Sequence, residues 1–478
     1  MAFKILLINP PYKKNRGFNR EGRCTQEASF WSTPWPPYSL ASLASILRSE
    51  HSVKILDCPA QGINFATLES RLNRGTFDVI VAALSTETIQ EDLLLLRGIK
   101  EKYKTQIVVF GIHPTVFPEE MLNGGFIDYV VLHEPEGAVR ELVSVLAAGG
   151  DPAQVNGIFY RTAEGEIVPT KARDFIENLD SLPFPSWDLV DLGRYRLPFV
   201  GRKFIIINTI RGCSFHCSFC NAQSYYGSAI RSRSVPSLLA EIRQGIEQHH
   251  VKDIFFWGDT FTLIRKQVQE LCHEIINARL DVHWVANSRV DTVDRETLVL
   301  MKRAGCWLLS YGIESGDDDI LKRCGKNITR RQVVEAVKMT RDAGIMTAGH
   351  FIFGLPGETE TTARNTIAFA RKLNPDFINF YTAVPYPGSR LYEEALRDGW
   401  IRNAPWAQFN QNMFLMELPK ISNARLSKIK KHAYASFYLS PKRLKTALAL
   451  ACLKLCVSRP QRLGKRDPLT VKEAVPKP

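Results

Sequence analysis

The chain has 478 residues, a length that allows roughly two to four domains, and its composition is 45% hydrophobic and 23% charged. That balance is typical of a soluble globular protein. Its apolar runs are shorter than the roughly 20 residues needed to span a bilayer, and Phe3–Ile8 is too short for the core of a signal peptide. We therefore expect a cytoplasmic protein rather than a secreted or membrane-spanning one.

The formal net charge of +13 is concentrated near the C-terminus. Residues 421–478 contain 14 Lys and Arg but two acidic residues, so this segment carries 12 of the 13 net positive charges. The basic composition therefore describes the tail and says nothing about the partners of the nearly neutral body.

The chain contains ten cysteines. A large chain without a secretion signal is not expected to carry a disulfide framework. Three of the ten lie within eight residues of each other, while the others are scattered and are expected to behave as small buried apolar residues. The three clustered cysteines are therefore the candidates for metal chemistry.

Residues 1–165 alternate short apolar runs with helical patterns, which predicts a Rossmann-like parallel sheet with helices on both faces. The predicted strands are Phe3–Ile8, Val53–Leu56, Asp78–Ala83, Gln106–Phe110 and Asp128–Leu132. Such sheets bind ligands beyond the carboxyl ends of their strands. The loops at those ends contain Pro10, Ser85, Thr86, Gly111, His113 and Glu134. No G-x-G-x-x-G motif is present, which argues against a nicotinamide site.

Residues 166–200 interrupt this alternation. Leu182–Trp187 contains too many prolines for a helix or a central strand, so we predict a linker packed between domains. A second alternation over residues 201–415 predicts a partial (β/α)6 barrel, with active residues where its strands end. Its predicted strands are Phe204–Thr209, Asp253–Trp257, His283–Asn287, Trp307–Gly312, Met346–Phe353 and Phe377–Thr382. The predicted fold class is therefore α/β, with two α/β domains.

The loop after the first barrel strand carries the most specific motif of the chain. Cys213, Cys217 and Cys220 have the spacing C-x3-C-x2-C, with which one loop can reach three irons of a cubane cluster. The fourth iron then lacks a protein ligand and is open to a small molecule. The alternative is a zinc site, which needs a fourth protein ligand such as His216 and usually has paired C-x2-C motifs.

With the motifs at the later strand ends, this loop makes residues 200–415 similar to the radical S-adenosylmethionine (SAM) superfamily. The resemblance implies a [4Fe–4S] cluster on the three cysteines. It also implies a SAM site formed by Phe219, Gly258, Asp259, Arg289, Glu314, Ser315, Gly354 and Pro356. Asp259 stands where the family usually has Glu, and either carboxylate accepts charged hydrogen bonds from the SAM ammonium group. Gly354 and the residues after it are expected to let the backbone approach the adenine.

Residues 1–165 resemble the cobalamin-binding domain of one branch of that superfamily, which includes anaerobic porphyrin cyclases, hopanoid-modifying enzymes and C-methyltransferases. The shared features include Asn9-Pro10-Pro11, Gly111–Pro114 and Glu134-Pro135-Glu136. The resemblance implies cobalamin bound by Pro10, Ser85, Thr86, Gly111, His113 and Glu134. The domain lacks the Asp-x-His-x-x-Gly motif that supplies a histidine to cobalt, so we expect His113 to be a hydrogen-bonded turn residue. The alternative is a relic domain without cofactor.

Residues 416–478 are predicted to form a helical, basic tail. Within 440–466, leucines are interspersed with Lys and Arg, a pattern typical of a basic amphipathic helix that can lie on an anionic membrane surface. The alternative is a helix docked on the barrel and followed by a disordered basic end. Nucleic acid is not an expected partner, because no RNA-binding fold is recognisable.

The resemblance implies an enzyme that generates a 5′-deoxyadenosyl radical from SAM and removes hydrogen from an unactivated carbon of a small-molecule or lipid-like substrate. Cobalamin would then donate a methyl group, and the electron would come from an external donor such as flavodoxin or ferredoxin. One alternative is a family member that cyclises, oxidises or rearranges its substrate without methyl transfer. Another, from a different class, is a non-catalytic electron-transfer or scaffold protein.

Overall fold

The computed structural model describes residues 1–12, 18–21, 26–27, 33–198, 200–402, 404–439 and 443. It contains two seven-stranded sheets and a two-stranded ribbon. Within the described ranges, no helix is both long and apolar enough to cross a membrane. Apart from Arg443, the predicted amphipathic segment at 440–466 lies outside the described residues.

The first half of the chain forms one sheet and the small ribbon. The strands are β1 (Lys4–Asn9), β2 (Phe18–Asn19), β3 (Gln26–Glu27), β4 (Ser52–Asp57), β5 (Val79–Ala83), β6 (Gln106–Phe110), β7 (Tyr129–Val131), β8 (Ile158–Arg161) and β9 (Ile167–Pro169). The sheet order is β4-β1-β5-β6-β7-β8-β9, and β2 pairs with β3. The five parallel strands match the five predicted ones to within one residue at each end.

Strands β8 and β9 are antiparallel additions that the sequence analysis did not predict. Their hairpin is closed by a hydrogen bond from Thr162 N–H to the carbonyl oxygen of Glu166 (2.8 Å). Ile158 is the one buried residue of the pair, so the apolar pattern there is weak. The first sheet consequently extends to Pro169, past the predicted boundary at residue 165.

Helices cover both faces of this sheet, because successive strand residues point to opposite sides. They are α1 (Tyr38–Leu47), α2 (Cys58–Gln61), α3 (Phe65–Leu72), α4 (Ile89–Lys102), α5 (Ile112–Val116), α6 (Pro118–Leu122) and α7 (Pro135–Ala147). Ile5 and Leu7 belong to the core that includes α1 and α7, whereas Leu6 and Ile8 belong to the core that includes α3 and α4. The carboxyl edge of the sheet is thereby left for its loops.

The second sheet is an open barrel. Its strands are β10 (Phe204–Arg211), β11 (Arg231–Ser232), β12 (Asp253–Gly258), β13 (His283–Ser288), β14 (Cys306–Glu314), β15 (Met346–Phe353) and β16 (Phe377–Thr382). The order is β11-β10-β12-β13-β14-β15-β16, with β11 antiparallel and the other six parallel. The six parallel strands match the predicted ones to within two residues. Among the described strands, β16 does not pair with β11 or β10, so the (β/α)6 barrel is open on one side.

Helices surround the outside of the barrel and continue past its last strand. They are α8 (Ala222–Tyr226), α9 (Val235–Glu247), α10 (Arg265–Asn277), α11 (Arg295–Arg303), α12 (Asp318–Arg323), α13 (Arg330–Asp342), α14 (Glu360–Leu373), α15 (Arg390–Arg397) and α16 (Asn423–Tyr438). The predicted linker at 166–200 packs against the first sheet. Trp187 and Tyr195 are buried there, and the Tyr195 hydroxyl donates to the Asp57 carboxylate (2.6 Å).

Helix α16 docks on the open edge of the barrel. Its Tyr434 hydroxyl lies 3.0 Å from the N–H and 3.2 Å from the carbonyl oxygen of Phe380 on β16. The Tyr438 hydroxyl makes the same two contacts with Ile378, at 3.0 and 2.9 Å. The edge strand therefore has its free backbone groups satisfied by a helix instead of by another strand.

Candidate active site

The three clustered cysteines lie on the loop that follows β10. Gly212 opens this loop with a φ of +87°, and a Cβ there would collide with the carbonyl oxygen of Ala229, so the position requires glycine. Gln223 Nε2, on α8, donates to the carbonyl oxygens of Cys213 (2.8 Å) and Phe215 (3.2 Å). The loop backbone is therefore held in one conformation by its own helix.

Cys213, Cys217 and Cys220 line one cavity of about 380 Å³ at the carboxyl end of the barrel. Burial raises the pKa of the Cys217 thiol, and the Lys326 ammonium opposes that rise. His216, the fourth ligand that the zinc alternative needs, is exposed and does not line the cavity. Within the described ranges, no three His, Cys, Asp or Glu side chains group around a single metal-ion position. Thiols on the wall of one cavity suit a cluster that spreads its ligands over separate irons.

Two cations flank these thiols. The Arg289 guanidinium lies over the Phe215 ring at 3.6 Å, and its Nη1 is 3.9 Å from Cys217 Sγ. Lys326 Nζ is buried and lies 2.8 Å from the Glu314 carboxylate. Thiolates that hold a cluster bring negative charge into a low-dielectric site, where nearby cations stabilise it. The donor set and its electrostatics therefore fit an iron–sulfur cluster.

Half of the eight predicted SAM residues line the same cavity: Phe219, Asp259, Arg289 and Glu314. They come from the cysteine loop and from the ends of β12, β13 and β14, so they converge where a barrel places its active residues. The carboxylate of Asp291 holds the Arg289 guanidinium with two hydrogen bonds of 2.9 and 2.8 Å. Carboxylates and a fixed guanidinium suit the ammonium and carboxylate groups of SAM.

The other four predicted SAM residues are not among the described residues that line the cavity: Gly258, Ser315, Gly354 and Pro356. Ser315 Oγ instead lies 3.3 Å from Thr366 Oγ1 on α14. The Gly354 N–H donates to the Glu358 carboxylate, and a side chain at position 354 would meet Phe414. The loop after β15 therefore faces the C-terminal segment, and the adenine contact expected at this loop stays a prediction.

The sequence analysis missed the side chains that point into the cavity from within the strands. They alternate along three neighbouring strands: Ser310 and Gly312 on β14, Ala348, His350 and Ile352 on β15, and Asn379 and Tyr381 on β16. Buried parallel strands are normally continuous apolar runs, so polar residues at every second position were the available signal. His350 stacks on Tyr381 with ring centroids 5.7 Å apart, and burial lowers the pKa of His350 to about 4.

Four of the six predicted cobalamin residues border a second cavity, of about 50 Å³: Ser85, Thr86, Gly111 and His113. Ser85 Oγ and His113 Nε2 are buried there and have no hydrogen-bond partner among the described residues. His113 Nδ1 lies 3.3 Å from Thr86 Oγ1, and burial lowers the pKa of His113 to about 3. Unpaired polar atoms at a strand-end edge fit the amide-rich periphery of a corrinoid.

Pro10 and Glu134, the other two predicted cobalamin residues, border neither cavity. The Pro10 carbonyl oxygen accepts a hydrogen bond from Arg20 (3.3 Å). The Glu134 carboxylate binds Arg231 (2.8 Å) and the Ile176 N–H (2.9 Å). Both residues therefore have structural partners within the chain.

A single layer of side chains separates the two cavities, because four residues line both: Glu21, Asn221, Trp257 and Tyr386. Glu21 accepts hydrogen bonds from Ser39 N–H (3.1 Å) and Ser39 Oγ (2.8 Å), and burial raises the pKa of Glu21 to about 7. The loop edge of the first sheet and the cysteine loop therefore face each other across this layer.

Comparisons with known proteins agree with this arrangement. The model of the radical SAM superfamily matches residues 207–370, and the model of the B12 binding domain matches residues 32–143. An uncharacterized methyltransferase of Pyrococcus horikoshii is 34% identical over 445 residues, which cover 92% of this chain and 94% of that protein. This chain belongs to the radical SAM superfamily. It is a radical SAM enzyme with a B12-binding domain ahead of its barrel.

Further relatives and solved structures share both domains of this radical SAM enzyme. The anaerobic magnesium-protoporphyrin IX monomethyl ester cyclase of Rubrivivax gelatinosus is 30% identical over 369 residues, 75% of this chain and 66% of that protein. The radical SAM methyltransferase TsrM from Kitasatospora setae, solved with cobalamin and a [4Fe-4S] cluster, superposes with a TM-score of 0.68 at 20% identity, covering 85% of this chain and 80% of TsrM. OxsB, solved with aqua-cobalamin and SAM, superposes with a TM-score of 0.75 at 17% identity, covering 95% of this chain and 71% of OxsB. These two structures have the same fold as this chain.

A buried ion network joins the B12-binding domain to the radical SAM barrel. Arg211, the last residue of β10, contacts the carboxylates of Glu134 (3.1 Å) and Glu136 (2.6 Å), and Arg231 contacts Glu134 (2.8 Å). Their side chains are between 2 and 8% exposed. Because Arg211 directly precedes the cysteine loop, carboxylates of one domain hold the strand that positions the cluster site in the other.

Proposed function

We propose that this enzyme is a cobalamin-dependent radical SAM methyltransferase that methylates an unactivated carbon of a small molecule. The observation that carries the proposal is the layer of side chains shared by the two cavities, since it brings a B12-binding loop edge next to a cluster cavity. A methyl donor on one side and a radical source on the other would both lie close to a substrate held in the cluster cavity against this layer.

In this proposal Cys213, Cys217 and Cys220 hold the cluster, while Asp259, Arg289 and Glu314 orient SAM. When bound, the cofactors supply a 5′-deoxyadenosyl radical and a methyl group. The residues of the protein itself must place the reacting carbon and exclude water and oxygen. The aromatic side chains of the shared layer are suited to that exclusion.

A second candidate is cyclisation, oxidation or rearrangement without methyl transfer, favoured by the cyclase relative that is 30% identical. The same cluster and SAM site would start that reaction. We further propose an external electron donor such as flavodoxin or ferredoxin, a cytoplasmic location, and contact of the basic tail with an anionic membrane surface.

The test is anaerobic purification of the full chain with corrinoid supplementation, followed by iron, sulfide, corrinoid and 5′-deoxyadenosine assays. Methyl transfer adds about 14 Da to a product, whereas a two-electron oxidation removes about 2 Da. A protein that retains no corrinoid under these conditions would remove the main support for methyl transfer and favour the second candidate.

Asp259→Ala is expected to weaken SAM binding by about 1.5–3 kcal/mol, the cost of one charged hydrogen bond, or roughly 10- to 150-fold. The cluster should remain intact, because Asp259 is expected to contact the SAM ammonium and not iron. Equilibrium binding of SAM to reconstituted protein measures the effect. Asp281→Ala, which breaks an exposed ion pair with Lys252, is the control and should leave SAM binding unchanged. Equal SAM affinity in wild type and Asp259→Ala would show that the assignment is wrong.

His113→Ala is expected to retain corrinoid, because we predict that no histidine coordinates cobalt. The imidazole already contacts Thr86, and its ring packs against Phe117 (5.1 Å) and Trp406 (4.9 Å). Electron paramagnetic resonance of the Co(II) form should show no nitrogen superhyperfine splitting from an axial imidazole. Splitting that is present in wild type and disappears in His113→Ala would contradict the histidine-free site, while the cobalamin assignment would stand.

A further inference from the structure

The cluster cavity extends far below the level of the cysteines. Phe255 lies about 10 Å below the end of β12 at Gly258, and both Phe255 and Asp259, which follows the strand, line the cavity. Val285 on β13 pairs with Phe255, and Leu308 on β14 pairs with Val285. We call the part of the cavity lined by Phe204, Phe255, Val285, Leu308 and Trp35 the lower arm.

Two neighbouring strands above the lower arm carry small inward-facing residues. Barrel interiors are ordinarily packed with layers of bulky branched side chains. Here Ser310, Gly312 and Ala348 occupy inward positions on the neighbouring strands β14 and β15. The small side chains therefore leave room inside the barrel for part of a bound molecule.

The lining changes from polar to apolar along the cavity. Asp259, Arg289 and Glu314 surround the end near the cysteines, whereas the lower arm is lined by aromatic and aliphatic side chains. Trp35 packs edge-on against Phe255, with ring centroids 4.9 Å apart. A polar group in the lower arm would lose its water without gaining partners, so this end selects hydrocarbon.

We propose that the lower arm binds a hydrocarbon chain, acyl or isoprenoid, that belongs to the substrate, with the polar end of the substrate directed toward the cysteines. The inference rests on the proposed function in one respect, namely that a small molecule is modified in the cluster cavity. It narrows that molecule to an amphiphile with an extended apolar part.

The first test uses the full chain with its cluster reconstituted and two series of probes: straight-chain alcohols from hexanol to hexadecanol, and the isoprenoid alcohols geraniol, farnesol and geranylgeraniol. Binding is followed by competition with dibromostearate, whose bromines quench tryptophan fluorescence. Affinity should rise about fourfold per methylene and then level off once the chain fills the lower arm. The series that binds more tightly at equal carbon number identifies the source of the chain. Weak, non-saturable quenching, or affinity that rises without levelling off, would overturn the proposal.

The second test narrows the cavity directly above the lower arm, where Ala348 lies. Ala348→Phe, and Ala348→Val as the milder change, should weaken probe binding at least tenfold and about threefold, respectively. Val299→Phe adds the same ring at an exposed position on α11, where Val299 is 44% exposed, and should bind the probes like wild type. If Ala348→Phe does not fold, Ala348→Val and the chain-length series still test whether the lower arm binds the probes. Unchanged affinity in a folded Ala348 variant would contradict the lower arm as the binding site.

Failure of this inference can be told apart from failure of the proposed function. Corrinoid retention and 5′-deoxyadenosine formation are measured without any probe. A protein that retains corrinoid and cleaves SAM but shows no saturable chain binding would refute the inference alone. A protein that binds chains with a length limit but retains no corrinoid would refute methyl transfer and leave the inference in place.

Discussion

Replacing any one of Cys213, Cys217 and Cys220 with Ala is expected to abolish cluster assembly and all formation of 5′-deoxyadenosine. Each thiolate would be the protein ligand of a different iron, so the loss of one would leave an iron that the chain cannot hold. Wild-type protein reconstituted without oxygen should contain about four irons and four sulfides and should absorb broadly at about 400 nm. The three variants should lose both the absorbance and the iron.

Cys272→Ala is the matched control for this prediction. Cys272 is fully buried on α10 and lines neither cavity, so its loss should leave the iron content unchanged. Zinc in place of iron in anaerobically purified wild-type protein would refute the cluster assignment, as would a Cys217→Ala protein that still forms 5′-deoxyadenosine.

Arg211→Met should destabilise the enzyme by about 3–5 kcal/mol, because it leaves buried carboxylates without their cation. That is a large part of the roughly 5–15 kcal/mol by which a folded domain is stable. The same change should reduce iron incorporation, since Arg211 directly precedes the cysteine loop. Urea unfolding at neutral pH measures the first effect and iron analysis the second. Arg48→Met, which breaks a half-exposed pair with Asp188, should cost about 0–1 kcal/mol.

The pH dependence of stability gives an independent check of the buried ion network. Burial alone would raise the pKa of Glu136, but the Arg211 guanidinium outweighs burial and holds that pKa below the ordinary value of 4.5. A carboxyl group with a lowered folded-state pKa contributes stability that is complete above 4.5 and is lost as the pH falls through the folded-state value. Without Arg211, burial raises the pKa, so the variant gains stability as the pH falls toward 5. The difference between wild type and variant should therefore shrink with acid, and a constant difference from pH 7 to pH 5 would contradict the ion network.

Much of the architecture could be predicted from sequence because the strands are buried and parallel. β15 was predicted with its observed bounds, Met346–Phe353, and the other barrel strands differ by no more than two residues. Strand β9 was missed because its three residues are half-buried or exposed and carry no continuous apolar run. The β8–β9 hairpin owes its place to the pairing of β8 with β7, a long-range contact with no local sequence signal.

Site residues could be predicted where the chemistry requires a particular residue type. They were harder to predict where the direction of the side chain determines whether it lines the cavity. The three cysteines, Asp259 and Arg289 were proposed from spacing and order, and all five line one cavity. The direction of the Ser315 side chain could not be predicted, because the preceding Glu314 has a left-handed backbone conformation (φ +67°) that breaks the alternation of a strand. Glu134 was assigned to cobalamin, but its cations come from β10 and β11, which lie more than 70 residues further along the chain. An ion pair between two domains leaves no pattern in the sequence of either domain.

The tyrosine hydroxyls of α16 have a consequence for how this molecule behaves among its own copies. An uncovered edge strand invites pairing with another chain and thus aggregation. Tyr434 and Tyr438 satisfy both the N–H and the carbonyl oxygen of Phe380 and Ile378, so this part of β16 offers no template for growth. The barrel can consequently stay open at its β16 edge without becoming a nucleus for β-fibrils.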